Sequence, residues 1–144
     1  MRLKKNRDFT TTDYNKLKIS DLKSMADYWF RQYLIEKSTK QGNKIWCKIT
    51  ERYQSLENTH VCHYIDRATM CTRWDEDNCI IGSSQSNLFE SKIPHETSRS
   101  LHHYKLEQIL GEKKVKELLV KSKNICILHR RDYIELIEKF RNVR

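Results

Sequence analysis

THVCHYIDRATMCTRWDEDNCIIGSSQSNLFES, residues 59–91, is the stretch that decides what this chain can be. A histidine next to an aromatic, then Asp66-Arg67, Arg73-Trp74 and the acidic run Asp75-Glu76-Asp77 ahead of Asn78 bring together more ionisable groups than a core segment carries. Val61 to Ile65 predicts a short strand, and Ser83 to Lys92, polar apart from Leu88 and Phe89, predicts a short helix ended by Pro94. Chemistry is therefore expected between them.

Upstream, Lys40-Gln41-Gly42-Asn43 reads as a turn, and Lys44 to Ile49 alternates apolar and polar residues as a strand does. This strand and Val61–Ile65 are expected to form the two arms of a small β-ribbon. Before them, Ser20-Asp21 reads as an N-cap. Leu22, Met25, Ala26, Trp29, Phe30 and Tyr33 follow at spacings of three and four, predicting one apolar helix face up to about Lys37. Residues 1–19, rich in Lys, Asn and Thr, read as a loose basic arm, with 20–144 as one domain.

Downstream, Leu101, Tyr104 and Leu110 mark a helix closed by Gly111; Val115, Leu118 and Leu119 mark a second, ending near Ser122. A third, from Asp132 to Arg141, carries Tyr133, Ile134, Ile137 and Phe140 on one face, with Arg130, Arg131, Lys139 and Arg141 around it. The predicted class is α+β.

Composition narrows the function. The chain has 144 residues and a formal charge of +9, an excess that favours a polyanion such as nucleic acid as partner. Three glycines and one proline leave no glycine-rich phosphate loop, so nucleotide-driven chemistry is not expected. No apolar run approaches the roughly 20 residues that cross a bilayer, and the expected setting is soluble and cytoplasmic, without membrane. Five cysteines, an odd number with no C-x-x-C pair, argue against a disulfide framework. Cys71, Cys79 and Cys126 read as small buried apolar residues.

A phosphodiester is hydrolysed where a base activates water and a divalent cation stabilises charge on the phosphate. His63 on a predicted strand, Asn78 after an acidic turn and Asn87 near a predicted helix start are candidates for such a set. These segments resemble the NinG/Rap-type phage recombination endonucleases, related to the HNH and endonuclease VII group of His-Me finger nucleases. Lys23–Tyr33 is similar to that family's opening helix. Cys62-His63-Tyr64-Ile65-Asp66-Arg67 is similar to its G-H-[FY]-I-x-R strand, and Arg73–Asn78 to its R-[FW]-x-x-x-N turn. Ser83–Asn87 stands in the place of its C-x-x-C-N, and Tyr104–Leu119 in that of its tail.

The resemblance covers about residues 20 to 140. It implies a small ββα-metal core flanked by an N-terminal helix and a helical C-terminal half, and a Mg²⁺- or Mn²⁺-dependent endonuclease acting on branched DNA such as Holliday junctions. It makes His63 the general base, Asn78 the brace of the loop that orients it and Asn87 a metal ligand. Arg67 and Arg73 would face phosphate, and Lys92, Arg130 and Arg131 extend the basic set. A homodimer and phage replication or recombination proteins are the partners such a role implies.

The chain departs from the family at its structural zinc. Of four thiol positions, Cys47-x-x-Thr50 and Ser83-x-x-Ser86 keep one, so no structural zinc is expected, and Trp46, Trp74, Ile80 and Phe89 are candidates to hold the finger by packing. Cys62, where endonuclease VII has an acidic ligand, suits a hard ion poorly. His60 is the candidate replacement, with a surface histidine as the other reading. The alternative function is a nuclease-derived DNA-binding or assembly protein that has lost the chemistry.

Overall fold

The computed structural model describes residues 8–83 and 104–142, an α+β protein in two compact units: residues up to Tyr33 together with Leu128 onwards, and Leu34–Ile127. Of the predicted helix over Ser83–Lys92, Ser83 instead ends a strand, and the rest, with Asn87, Phe89, Lys92 and the following Pro94, lies outside the described residues.

The first unit is built on helices α1 (Ile19–Glu36) and α4 (Arg130–Arg141). Helix α1 starts one residue before the expected Ser20-Asp21 cap, because Asp21 sits inside the first turn and its carboxylate accepts the Lys18 amide at 3.3 Å. Leu22, Met25, Ala26, Trp29 and Phe30 are all buried, each contributing on the order of 1–3 kcal/mol for the larger side chains. On α4, Tyr133, Ile137 and Phe140 are buried at the matching spacing, and the Phe140 ring packs on Phe30 at 4.9 Å and Tyr33 at 5.2 Å. Asp132 starts α4 by accepting the His129 amide at 2.8 Å.

The loose arm expected over residues 1–19 is corrected by this unit from Asp8 onwards. Phe9 stacks on Tyr28 at 4.7 Å and its carbonyl accepts the Trp29 indole N–H at 2.9 Å. Arg141 donates to the carbonyls of Thr10 and Thr11, Arg130 to that of Tyr14 at 2.9 Å, and Tyr14 to the Glu138 carboxylate. That last bond holds the Glu138 carboxyl below its ordinary range, whereas burial first and then the bond push the Tyr14 phenol up. Arg130, expected on phosphate, is thus a main-chain fastener.

The second unit holds two antiparallel sheets, β1 (Lys40–Gln41), β2 (Lys44–Cys47) and β3 (Arg52–Gln54) in one, β4 (Thr59–His63) and β5 (Cys79–Ser83) in the other. Gly42, at φ +60°, supplies the left-handed residue that lets β1 return as β2 in the predicted turn. The ribbon pairing is different from the expected one. β2 pairs with β3 through the 47–51 turn, and β4 pairs with β5, from Thr59 opposite Ser83 to His63 opposite Cys79. Ile35, Ile45 and Ile81, with Leu34 and Val61 against them, form the core that joins the two sheets, and the Lys48 amide reaches the Ile81 carbonyl at 3.4 Å.

Residues 104–110 form helix α2, and Gly111 at φ +89° separates it from α3 (Glu112–Ser122). On α3, Val115 and Leu118 are buried as expected, while Leu119 is exposed. Among the described residues no helix is long and apolar enough to cross a membrane.

Candidate functional site

β4 and β5 are joined by residues 64–78, and His63 is the last residue of β4, at the point where this long connection begins. A connection of that length needs its own hydrogen bonds, because two strand ends do not order it. It has them. Asp66 accepts the Ala68 amide at 2.8 Å through its side chain and the Thr69 amide at 2.9 Å through its carbonyl, and a chain of turns follows to Asn78.

Asn78 holds the two ends of this loop together from inside. Its side chain is 0% exposed; Oδ1 accepts the Ile65 amide at 2.7 Å, and Nδ2 donates to the carbonyls of Ile65 and Thr72, each at 3.0 Å. Its own carbonyl accepts the Tyr64 amide at 2.9 Å, so the residue after His63 is fixed as well.

His63 is half-buried, and its Nε2 lies 2.8 Å from the Arg73 carbonyl oxygen. A carbonyl only accepts, so Nε2 carries the proton and, in the neutral ring, Nδ1 holds the basic lone pair. The ring is aimed by the loop's backbone.

Compared with family models, with curated proteins and with solved structures, the chain matches none. The chemistry of the site therefore stands on its own geometry.

Two expectations about the neighbouring residues are corrected. Arg73, read as a phosphate contact, is buried: its Nη1 donates to the Arg67 carbonyl at 2.9 Å and its guanidinium lies 5.3 Å from the Trp74 ring centre. The acidic run is paired throughout. Lys121 meets Asp75 at 2.6 Å, Lys37 meets Glu76 at 3.4 Å and Lys114 meets Asp77 at 3.2 Å. These pairs, with their lysines about half-exposed and worth about 0–1 kcal/mol each, fasten the loop's exit to α3 and to Lys37 within the second unit. Cys71 and Cys126, read as unpaired, form a disulfide that ties the loop to the segment after α3. Arg67 stays at the surface, and Arg131 is exposed with its guanidinium on Glu135 at 3.0 Å.

His60 is exposed on β4, three residues from His63. Side chains alternate along a strand, so the two imidazoles leave opposite faces roughly 10 Å apart along the backbone and do not converge. Cys62 is buried, with Ile80 opposite it. Among the described residues no three His, Cys, Asp or Glu side chains form a group that could hold a metal ion. At the family's first thiol pair, the Thr50 amide points at the Cys47 sulfur, 3.3 Å away, and Glu51 takes φ +55°. Of the expected packing replacements, Trp74 and Ile80 are buried, and Trp46 is half-buried against Tyr53 at 5.0 Å.

Sequence reasoning passed over Tyr64. Its hydroxyl donates to Glu107 on α2 at 2.7 Å, and burial, then that bond and the carboxylate's charge, push its pKa to about 12. The neutral phenol is the folded form, so its contribution is complete below the ordinary 10.0 and is lost as pH rises towards 12. Tyr64→Phe should therefore be less stable than the wild type at pH 8, with the gap closing between pH 10 and 12. Urea unfolding of both proteins across that range measures it, and a gap independent of pH would contradict the assignment.

Proposed function

We propose that this protein is a metal-dependent DNA endonuclease acting on branched DNA in phage recombination or replication. Its catalytic centre is a His-Me finger-like unit formed by β4, the 64–78 loop and β5, as in the NinG/Rap-type family that the sequence resembles. The observation that carries the reading is the bond between His63 Nε2 and the Arg73 carbonyl, which presents Nδ1 as a base. Asn78 supports it by bracing the loop in the manner the resemblance implies. The net charge of +9 supports a polyanionic substrate.

In the proposed reaction His63 Nδ1 takes a proton from a water that attacks phosphorus, and the bridging oxygen of the sugar departs. Arg67, exposed on the loop, and Arg131 are left as phosphate contacts, with Arg73 and Arg130 withdrawn to structural duties. A bound Mg²⁺ or Mn²⁺ would stabilise the charge developing on the phosphate. Such hard ions take oxygen ligands, which the buried thiol of Cys62 and the diverging His60 do not supply. Asn87, outside the described residues, and the phosphate itself are the proposed ligands.

The test is incubation of a labelled four-way junction, and a matched linear duplex, with the protein in Mn²⁺, Mg²⁺ or EDTA. Nicking of the junction in either ion and none in EDTA is the expected result. Salt-sensitive binding of the junction without a cut in any ion would overturn it in favour of a DNA-binding or assembly protein.

A further inference from the structure

Among the described residues Arg73 alone combines a full charge with burial, at 4% exposure. Taking a guanidinium out of water is costly unless its donors are engaged, so the residue must return something that a leucine would not. Part of what it engages is its own loop. Nη1 donates to the Arg67 carbonyl at 2.9 Å, closing the six-residue step back along the chain, and the guanidinium carbon sits 5.3 Å from the Trp74 ring centre. The main chain of the same residue presents the oxygen that meets His63 Nε2 at 2.8 Å, and the Cys79 thiol points at that oxygen from 3.8 Å. One residue is thus clamped by its side chain and aims the imidazole by its carbonyl.

We propose that Arg73 is the positioning residue of His63. Its guanidinium locks residues 67–73 so that its carbonyl faces Nε2, keeping the proton there and the lone pair on Nδ1. Arg73 touches no substrate in this role, whose catalytic meaning rests on the endonuclease reading above. The phosphate-contact role that an arginine in this segment suggests is unavailable to a side chain buried to this degree.

The experiment follows the His63 Nε2–H proton by NMR in the ¹⁵N-labelled full chain, as wild type, Arg73→Leu, Arg73→Lys and Arg67→Ala. In the wild type one tautomer is expected, with the Nε2 proton slow to exchange with water. Arg73→Leu should speed that exchange on the order of tenfold, the loss of about one net hydrogen bond, and bring in the second tautomer. Arg73→Lys, whose ammonium can still reach the Arg67 carbonyl, should restore most of the protection, and Arg67→Ala, which keeps the accepting carbonyl, should leave the exchange of this proton as in the wild type. Should Arg73→Leu fail to fold, Arg73→Gln, too short to reach that carbonyl, is expected to show the same acceleration. Protection unchanged in Arg73→Leu or Arg73→Gln, or lost equally in Arg67→Ala, would overturn the proposal. The readout is independent of cleavage: a wild type that cuts no junction removes the endonuclease reading, and the proton's behaviour still decides what Arg73 does.

Discussion

Asn78→Ala is expected to remove about 3–5 kcal/mol of stability from the second unit. The side chain is fully buried and satisfies one amide, Ile65 N–H, and two carbonyls, Ile65 and Thr72. Alanine leaves all three without that partner, at about 1–3 kcal/mol for each buried group left unmatched, offset in part where the loop opens to water. Asn78→Asp tests the direction of the bonds at nearly constant shape. The acceptor for Ile65 N–H survives, but an anionic oxygen replaces the donor opposite two carbonyls, so the loss should equal or exceed that of alanine. Urea unfolding with an unchanged m-value would give both numbers. A loss under about 1 kcal/mol for either variant would mean that the loop is ordered by something other than Asn78.

Reduction of Cys71–Cys126 is expected to cost about 4 kcal/mol, because the bond closes a loop of 55 residues in the unfolded chain. The Cα atoms stand 5.3 Å apart, within the ordinary span of a bridged pair, so the native backbone accommodates the link. For a unit of this size the unfolding midpoint should fall by roughly 15–30 °C when a dithiol is added. The double variant Cys71→Ala/Cys126→Ala should melt at the reduced midpoint with or without dithiol. Equal midpoints for oxidised and reduced wild type would contradict the assignment. The bond begins at the residue before Thr72 and Arg73, whose carbonyls receive Asn78 and His63. A reducing compartment would leave the loop that holds the His63 ring without this covalent tie.

The helices were legible because their burial is periodic: Leu22, Met25, Ala26, Trp29 and Phe30 on α1, Val115 and Leu118 on α3, and Tyr133, Ile137 and Phe140 on α4 lie on single faces. β5 was not, because Cys79-Ile80-Ile81-Gly82-Ser83 is buried on both faces and shows no alternation. Missing it sent β4 to the wrong partner, since strand pairing between segments 20 residues apart has no local signature. The same holds for Cys71 and Cys126, whose pairing depends on where the end of α3 lies, and for Arg73, whose charge reads as surface until its carbonyl is seen to be the useful group. His63 and Asn78 were singled out through the resemblance, on the residue types flanking them. The covering groups, Tyr64 with Glu107 and the lysines on the acidic run, come from helices distant in sequence and follow only from the fold.

The central claim is that His63 is a base. It is tested most directly by the rate of junction cleavage in Mn²⁺ for the wild type and for a folded His63→Ala protein at equal DNA occupancy. The account predicts a loss of roughly 10²- to 10⁴-fold with binding retained, the range a positioned general base supplies. Cleavage at the wild-type rate by His63→Ala would contradict it.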